Sequence, residues 1–172
     1  MSLKYFLNLL LFSGFLSIFN SCQPTNEKST SLILIRHAEK MIASSNDPQL
    51  STKGWQRANE LVHIFEAVDI DAVYASPYRR TIDTARPLAT AKQLEILQYD
   101  PNKLVSFAQE ILKTHQGETV VIIGHSNTTP QLTNALAGTE YSDLEETEYD
   151  WLYFVEMSPE GTPNVKKLQI QM

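Results

Sequence analysis

The chain has 172 residues, 42% of them hydrophobic and 20% charged, which excludes a disordered or fibrous protein and fits one soluble globular domain with one core. Its net charge of −6 argues against nucleic acid as a partner, because a polyphosphate needs a basic surface. Any anion-binding site must therefore be a local cluster of cations.

Lys4 precedes an uncharged, mostly apolar run from Tyr5 to Phe19, followed by Ser21 and Cys22. A basic start, an apolar stretch too short for a comfortable membrane span and a small-residue end are the marks of a secretory signal, so the chain is expected to be exported. Ser17-Ile18-Phe19-Asn20-Ser21-Cys22 resembles a bacterial lipoprotein signal, in which the cysteine becomes the lipidated first residue of the mature protein. Asn20 and Phe19 depart from the usual small and aliphatic residues. Cys22 is the only cysteine, so no intrachain disulfide can form. The expected organisation is a signal peptide over 1–21, a polar tether over 22–30 and a single domain over 31–172. Without the signal, 13 basic residues face 20 acidic ones, a net charge of −7. Acyl chains on Cys22 would hold that domain to the cell envelope with no spanning helix.

Ser31-Leu32-Ile33-Leu34-Ile35 reads as a strand buried on both faces, as in a parallel sheet, and it ends in Arg36 and His37. Parallel sheets place their sites beyond the carboxyl ends of their strands. Alternation would send Arg36 and His37 to opposite faces, so a shared site requires a turn there. After a polar loop through Asp47, apolar residues at Trp55, Ala58, Leu61, Val62, Phe65 and Val68 follow helical spacing, with Ser51 as N-cap.

Ile70–Ala75 is a second strand, and Ser76-Pro77 reads as an N-cap followed by a first-turn proline. The helix that follows buries Ile82, Ala85, Leu88 and Ala89, and Pro87 is expected to kink or shorten it. Leu94–Tyr99 is a third strand, closed by Asp100-Pro101 as the cap of a helix carrying Leu104, Ala108, Ile111 and Leu112. Thr119–Gly124 is the most apolar strand and belongs at the centre of the sheet; His125 ends it. Thr129-Pro130 starts a fourth helix that Gly138 stops. The acidic stretch Glu140–Asp150 reads as a solvated loop or irregular helix, and Trp151–Met157 and Val165–Ile170 as two closing strands. Four strand–helix alternations predict an α/β fold: a doubly wound, mostly parallel sheet with helices on both faces.

Two strand ends thus carry His37 and His125, and a third places Arg79 and Arg80 in a first helical turn. If these ends are neighbours, one crevice collects two imidazoles and at least two guanidiniums, whose planar forks suit a phosphoryl group. The residues resemble those of the histidine phosphatase superfamily in its small, phosphoglycerate-mutase-like form. Arg36-His37-Ala38-Glu39 is similar to R-H-G-E. Leu50-Ser51 with Gly54 and Arg57-Ala58 is similar to L-[TS]-x-x-G-x-x-[RQ]-A. Ser76-Pro77 with Arg80-Thr81 and Thr84-Ala85 is similar to S-P-x-x-R-A-x-x-T-A, and Gly124-His125-Ser126 to G-H-[SGA]. The four blocks run from Arg36 to Ser126 in the family's order and spacing.

The resemblance implies a phosphohydrolase in which His37 attacks phosphorus and becomes a phosphohistidine that water hydrolyses. Arg36, Arg80 and His125 would hold the equatorial oxygens, His125 as an imidazolium whose pKa a neighbouring phosphate raises. No cofactor and no metal are required, and two histidines without a clustered carboxylate or cysteine make a poor zinc set. Ser126, Asn127 and Glu39 are candidate substrate contacts, although Asn127 and Thr128 could equally serve as helix caps. Asp100 is the first candidate for general acid, with Glu39 and Asp47 as alternatives. Family spacing selects Arg80 over Arg79, which reads as a solvated side chain; His63 and His115 read as surface bystanders. Ala38 replaces a glycine, which would cost on the order of 1 kcal/mol if that position needed a positive φ. The substrate is a phosphorylated small molecule or a phosphoprotein. A mutase is disfavoured because no large insertion encloses the site, and the alternative from another class is a phosphate-binding module that has lost turnover.

Overall fold

The longest apolar runs pair with one another because backbone groups stripped of water need partners, and a sheet provides them. In the computed structural model, which describes residues 28–42 and 45–170, ten elements result. They are β1 (Thr30–Arg36), α1 (Thr52–Ile64), β2 (Ala72–Ala75), α2 (Arg79–Lys92), β3 (Ile96–Gln98), α3 (Leu104–Thr114), β4 (Thr119–Gly124), α4 (Thr128–Ala137), β5 (Trp151–Met157) and β6 (Pro163–Gln169). The signal-like stretch, Cys22 and most of the tether lie outside the described residues.

The sheet order is β3-β2-β4-β1-β5-β6. The pairs β1–β4, β2–β4 and β2–β3 are parallel, whereas β5 and β6 close the sheet as antiparallel strands. The strand Thr119–Gly124 is central, as its composition predicts. Alternate side chains of the same strands feed two cores. Leu32, Leu34, Val120 and Ile122 meet Phe107, Ala108, Ile111 and Leu132 of α3 and α4. Ile33, Ile35, Val121 and Ile123 meet Leu61 of α1, Phe65 at its C-terminal cap, and Ala85 and Leu88 of α2. Helices therefore cover both faces of a mixed, mostly parallel sheet, the expected architecture.

Several local expectations change. The first strand starts at Thr30, whose hydroxyl accepts from the Gly117 amide at 2.9 Å. The helix α2 begins at Arg79, not at Ser76-Pro77: Tyr78 stays extended (φ −121°, ψ 146°), and the Ser76 hydroxyl is used by its neighbours instead of capping. Pro87 lies inside α2 and does not shorten it: the helix runs to Lys92 and ends on Gln93 in the left-handed region (φ 57°). Asp100 does not cap α3 either. Its carboxylate accepts from the Asn102 amide at 2.9 Å in a local turn, and the helix starts at Leu104. His115 is buried and not a surface bystander, since it ends α3 between the Tyr74 hydroxyl (3.0 Å) and Glu118 (2.6 Å).

Ser51 caps α1, accepting from Gly54 N at 3.1 Å. That first turn passes so close to the loop after β1 that a Cβ on Gly54 would lie 2.1 Å from the Glu39 carbonyl oxygen. Both partners are backbone, so neither can rotate away. Gly54→Ala is expected to destabilise the fold by about 1–3 kcal/mol through overpacking, read as a lower urea midpoint at unchanged m-value.

Candidate active site

Parallel pairing of β1 with β4 puts Arg36 opposite Gly124, so the residues that follow, His37 and His125, leave the sheet side by side. The backbone tie continues one step further, with His37 N donating to Gly124 O at 2.8 Å. The imidazole centroids are 5.5 Å apart. Gly124 has no room for a side chain: a Cβ there would lie 2.8 to 2.9 Å from the hydroxyls of Thr128, Thr129 and Tyr99. β1 ends at Arg36, and His37–Glu39 continue without a turn or bend, so the expected turn does not form there. Ala38 does not adopt positive φ, so its replacement of glycine carries no backbone strain.

Three further ties bring α2 to the same place. The Ala38 amide donates to the Thr84 hydroxyl at 2.9 Å, the Thr84 hydroxyl donates to Arg80 O at 2.7 Å, and the Thr81 hydroxyl donates to Ser76 O at 2.7 Å. Arg80 is thereby held over the histidines. Its guanidinium approaches His125 Nδ1 at 3.2 Å and stacks 4.5 Å from the Tyr78 ring centroid.

The result is a crevice of about 290 Å³ lined by Arg36, His37, Lys40, Tyr78, Arg80, Asn102, His125, Ser126, Asn127, Thr128 and Glu146, with Pro101 at its edge. Six of the residues singled out in the sequence meet there: Arg36, His37, Arg80, His125, Ser126 and Asn127. Two do not line it. Asp100 stands outside, on the turn it closes, and the Asn102 amide bonded to its carboxylate lowers its pKa, which disfavours the protonated form an acid needs. Glu39 turns away to Arg57, whose Nε and Nη2 grip it at 2.9 and 2.8 Å, and to Lys53 at 3.1 Å. Burial pushes that carboxyl up, but these donors and a backbone hydrogen bond outweigh it and hold the pKa at about 2. Asp47 is engaged as well, accepting from Arg79 N at 2.9 Å and facing Arg80 Nη1 at 3.5 Å. Arg79 is exposed, as expected.

The two histidines are held in defined tautomers. Ala38 O can only accept, so the contact of 2.7 Å assigns the proton of His37 to Nδ1 and leaves the lone pair on Nε2. A guanidinium can only donate, so Arg80 makes His125 Nδ1 an acceptor, and its Nε2–H donates to the Ser76 hydroxyl at 2.8 Å. Burial, with its cationic surroundings, lowers His37 to about 3; burial first and Arg80 next lower His125 to about 4. The imidazolium expected at His125 is therefore not the form that the protein's own groups favour.

Lys40, Tyr78, Glu146 and Tyr149 were not singled out in the sequence. Lys40 directly follows the first block, three residues beyond His37, and Tyr78 lies within the third, two before Arg80, where spacing could have flagged them. Nothing in the acidic stretch Glu140–Asp150 flags its role, which is to cover the Arg36 side chain, only 1% exposed. Glu145 O and Glu148 O accept from Arg36 Nη1 at 2.6 and 2.8 Å, Glu146 faces Nη2 at 3.1 Å, and the Tyr149 ring lies 4.0 Å from the guanidinium carbon. Arg36 Nε is buried without a partner. Among the described residues, no group of three or more His, Cys, Asp or Glu side chains is placed to hold a metal ion.

Residues 32–102 match the histidine phosphatase superfamily (branch 1). The match runs from within β1 to the turn before α3 and is a likeness over that stretch. Among its relatives, phosphoserine phosphatase 1 of Hydrogenobacter thermophilus is 25% identical over 164 residues, an alignment covering 64% of this chain and 78% of that protein. The structure of the protein histidine phosphatase SixA complexed with tungstate superposes with a TM-score of 0.66 at 16% identity, over 81% of this chain and 96% of that one. Phosphoserine phosphatase from Entamoeba histolytica in complex with 3-phosphoglyceric acid superposes at 0.62 with 18% identity, over 83% and 98%. The structural likenesses show a shared fold, and the findings together support the enzyme class expected from the sequence, a phosphatase.

Depressed histidine pKa values make stability pH-dependent. Unfolding restores an ordinary pKa near 6.5, so below it the unfolded chain binds protons that the native state refuses. Stability should fall as pH drops from about 6.5 towards about 3, and His37→Gln should flatten part of that slope in urea titrations taken across this window.

Proposed function

We propose that the protein is a phosphomonoester hydrolase that works through a phosphohistidine at Nε2 of His37. The observation that carries this reading is the Nδ1–H to Ala38 O hydrogen bond of 2.7 Å, which leaves the Nε2 lone pair free in a crevice shared with Arg36, Lys40 and Arg80. A pKa of about 3 keeps that lone pair available at neutral pH, with no base needed to activate it.

In the first step Nε2 attacks phosphorus, the N–P bond forms and the bond to the leaving oxygen breaks with its electron pair. Water then attacks phosphorus, the N–P electrons return to Nε2, and inorganic phosphate leaves. Arg36, through its unpartnered Nε–H, and Arg80 hold the equatorial oxygens as negative charge spreads over them. His125 gains a proton as the phosphoryl group offsets the cations that depress it, and then donates to the same oxygens.

Ser126 and Asn127 line the crevice, following His125 in the chain, and are further donors. The substrate is a phosphorylated small molecule or a phosphoprotein, and the name of the Hydrogenobacter relative makes phosphoserine the first to test. An exported location, with Cys22 lipidated, belongs to the same proposal: labelled palmitate should enter the wild-type chain and not Cys22→Ser.

With p-nitrophenyl phosphate, His37→Ala should lower kcat/KM by at least about 10³-fold, and acid-labile, base-stable label should be trapped on the wild type alone. A wild type no faster than His37→Ala would instead favour a phosphate-binding module without turnover. Arg80→Lys keeps the charge but loses the planar fork, and is expected to cost about 10²-fold in kcat/KM.

A further inference from the structure

Departure of an alkoxide needs a proton, and the three carboxylates singled out for that task in the sequence are each engaged elsewhere. Asp100 serves its own turn, Glu39 is gripped by Arg57 and Lys53, and Asp47 by the start of α2. Among the described residues, Glu146 is the one carboxylate lining the crevice that contains His37. It enters from the loop between α4 and β5, a different part of the chain from all three.

Its placement suits the outer end of an in-line displacement. His37 is 3% exposed and the Glu146 side chain 66%, so the nucleophile forms the floor and the carboxylate stands towards the mouth. The leaving oxygen departs opposite the attacking Nε2, and thus towards that mouth. Glu146 also borders a second chamber of about 560 Å³, walled by Met41, Pro48 and Tyr149, which shares Lys40 and Arg80 with the crevice and offers room for the rest of a substrate.

Resting on the hydrolase reading above, we propose that Glu146 is the proton donor and acceptor of the reaction. In the first step its carboxylic acid gives a proton to the leaving oxygen as the P–O bond breaks, and it becomes a carboxylate. In the second it takes a proton from the attacking water as the N–P bond breaks, and is restored. Without substrate, Glu146 is paired with Lys40 at 2.8 Å and Arg36 at 3.1 Å, and these two cations hold its pKa below the ordinary carboxylate range. Arg80, His37 and His125 face it across the crevice, the histidines uncharged. A phosphoryl anion that takes over Arg36 and Lys40 removes this stabilisation and adds a negative charge beside the carboxyl. Both changes raise its pKa, so binding itself charges the acid, with the proton drawn from a monoanionic ester or from water at the open mouth.

The test compares wild type, Glu146→Gln, Glu146→Asp and the control Asp100→Asn on p-nitrophenyl phosphate, whose leaving group departs as an anion, and on glycerol 2-phosphate, whose alkoxide needs a proton. Glu146→Gln should lower kcat/KM on the glycerol ester by about 10²-fold or more and on the nitrophenyl ester by less than about fivefold. Its kcat on the nitrophenyl ester should fall with phosphoenzyme accumulating, seen as a burst of nitrophenolate, because water then lacks its base. Glu146→Asp should recover part of the alkyl activity, and Asp100→Asn should leave the ratio of the two substrates unchanged. Equal losses on both esters would mean that Glu146 only positions Arg36 and would overturn the proposal, as would no loss on either. Failure of the hydrolase reading looks different: wild type and His37→Ala would be indistinguishable on p-nitrophenyl phosphate.

Discussion

One strand pairing sets the geometry on which everything else depends. Because β1 and β4 run parallel with Arg36 opposite Gly124, the two chains leave the sheet at the same level and release their histidines next to each other. A slip of one residue would send His37 and His125 to opposite faces, since side chains alternate along a strand. Both strands are aliphatic on both faces, so the resistance to such a slip comes from their ends, where a shift would draw the polar residues that flank the apolar runs towards the two cores.

The cationic crevice is an electrostatic exception in a chain of net charge −6, and the fold works to maintain it. A guanidinium as buried as that of Arg36 needs compensation for lost water. Two main-chain carbonyls and the π face of Tyr149 offer it without a full opposing charge, and Glu146, mostly exposed, contributes the one carboxylate. The net positive character therefore survives. The same field, with burial, keeps both imidazoles neutral, which suits a nucleophile at His37 and lets His125 respond when an anion arrives.

Rigidity in the site is distributed unevenly. The floor is tied to the sheet and α2 by backbone and hydroxyl hydrogen bonds: His37 N to Gly124 O, Ala38 N to Thr84, and the Ser76–Thr81 pair beneath His125. The wall facing it is an irregular loop, joined to the body through Leu144 N to Ser126 O, through Asn134 and Gln131 of α4, and through Lys40 and Arg36. In the proposed reaction the preorganised donors stand where charge would develop, and Glu146 stands where the leaving group would pass.

The sequence by itself determined the layer architecture, the central place of Thr119–Gly124 and four of the side chains at the centre of the crevice, Arg36, His37, Arg80 and His125. These follow from apolar runs ending in charge and from local spacing along single elements, which are one-dimensional signals. Helix starts were less legible. Ser76-Pro77 and Asp100-Pro101 read as caps, yet Ser76 is claimed by His125 and Thr81, and Asp100 by a tight turn, because hydrogen bonds within reach decide which role such residues play. Only the tertiary structure decided the fate of the carboxylates. Glu39, Asp47, Asp100 and Glu146 are alike in composition, and what separates them is which cations the folded chain brings within 4 Å of each. Arg36 and Glu146 are 110 residues apart, and no local pattern joins them; their contact exists because β5 returns beside β1 and carries the preceding loop over the strand end.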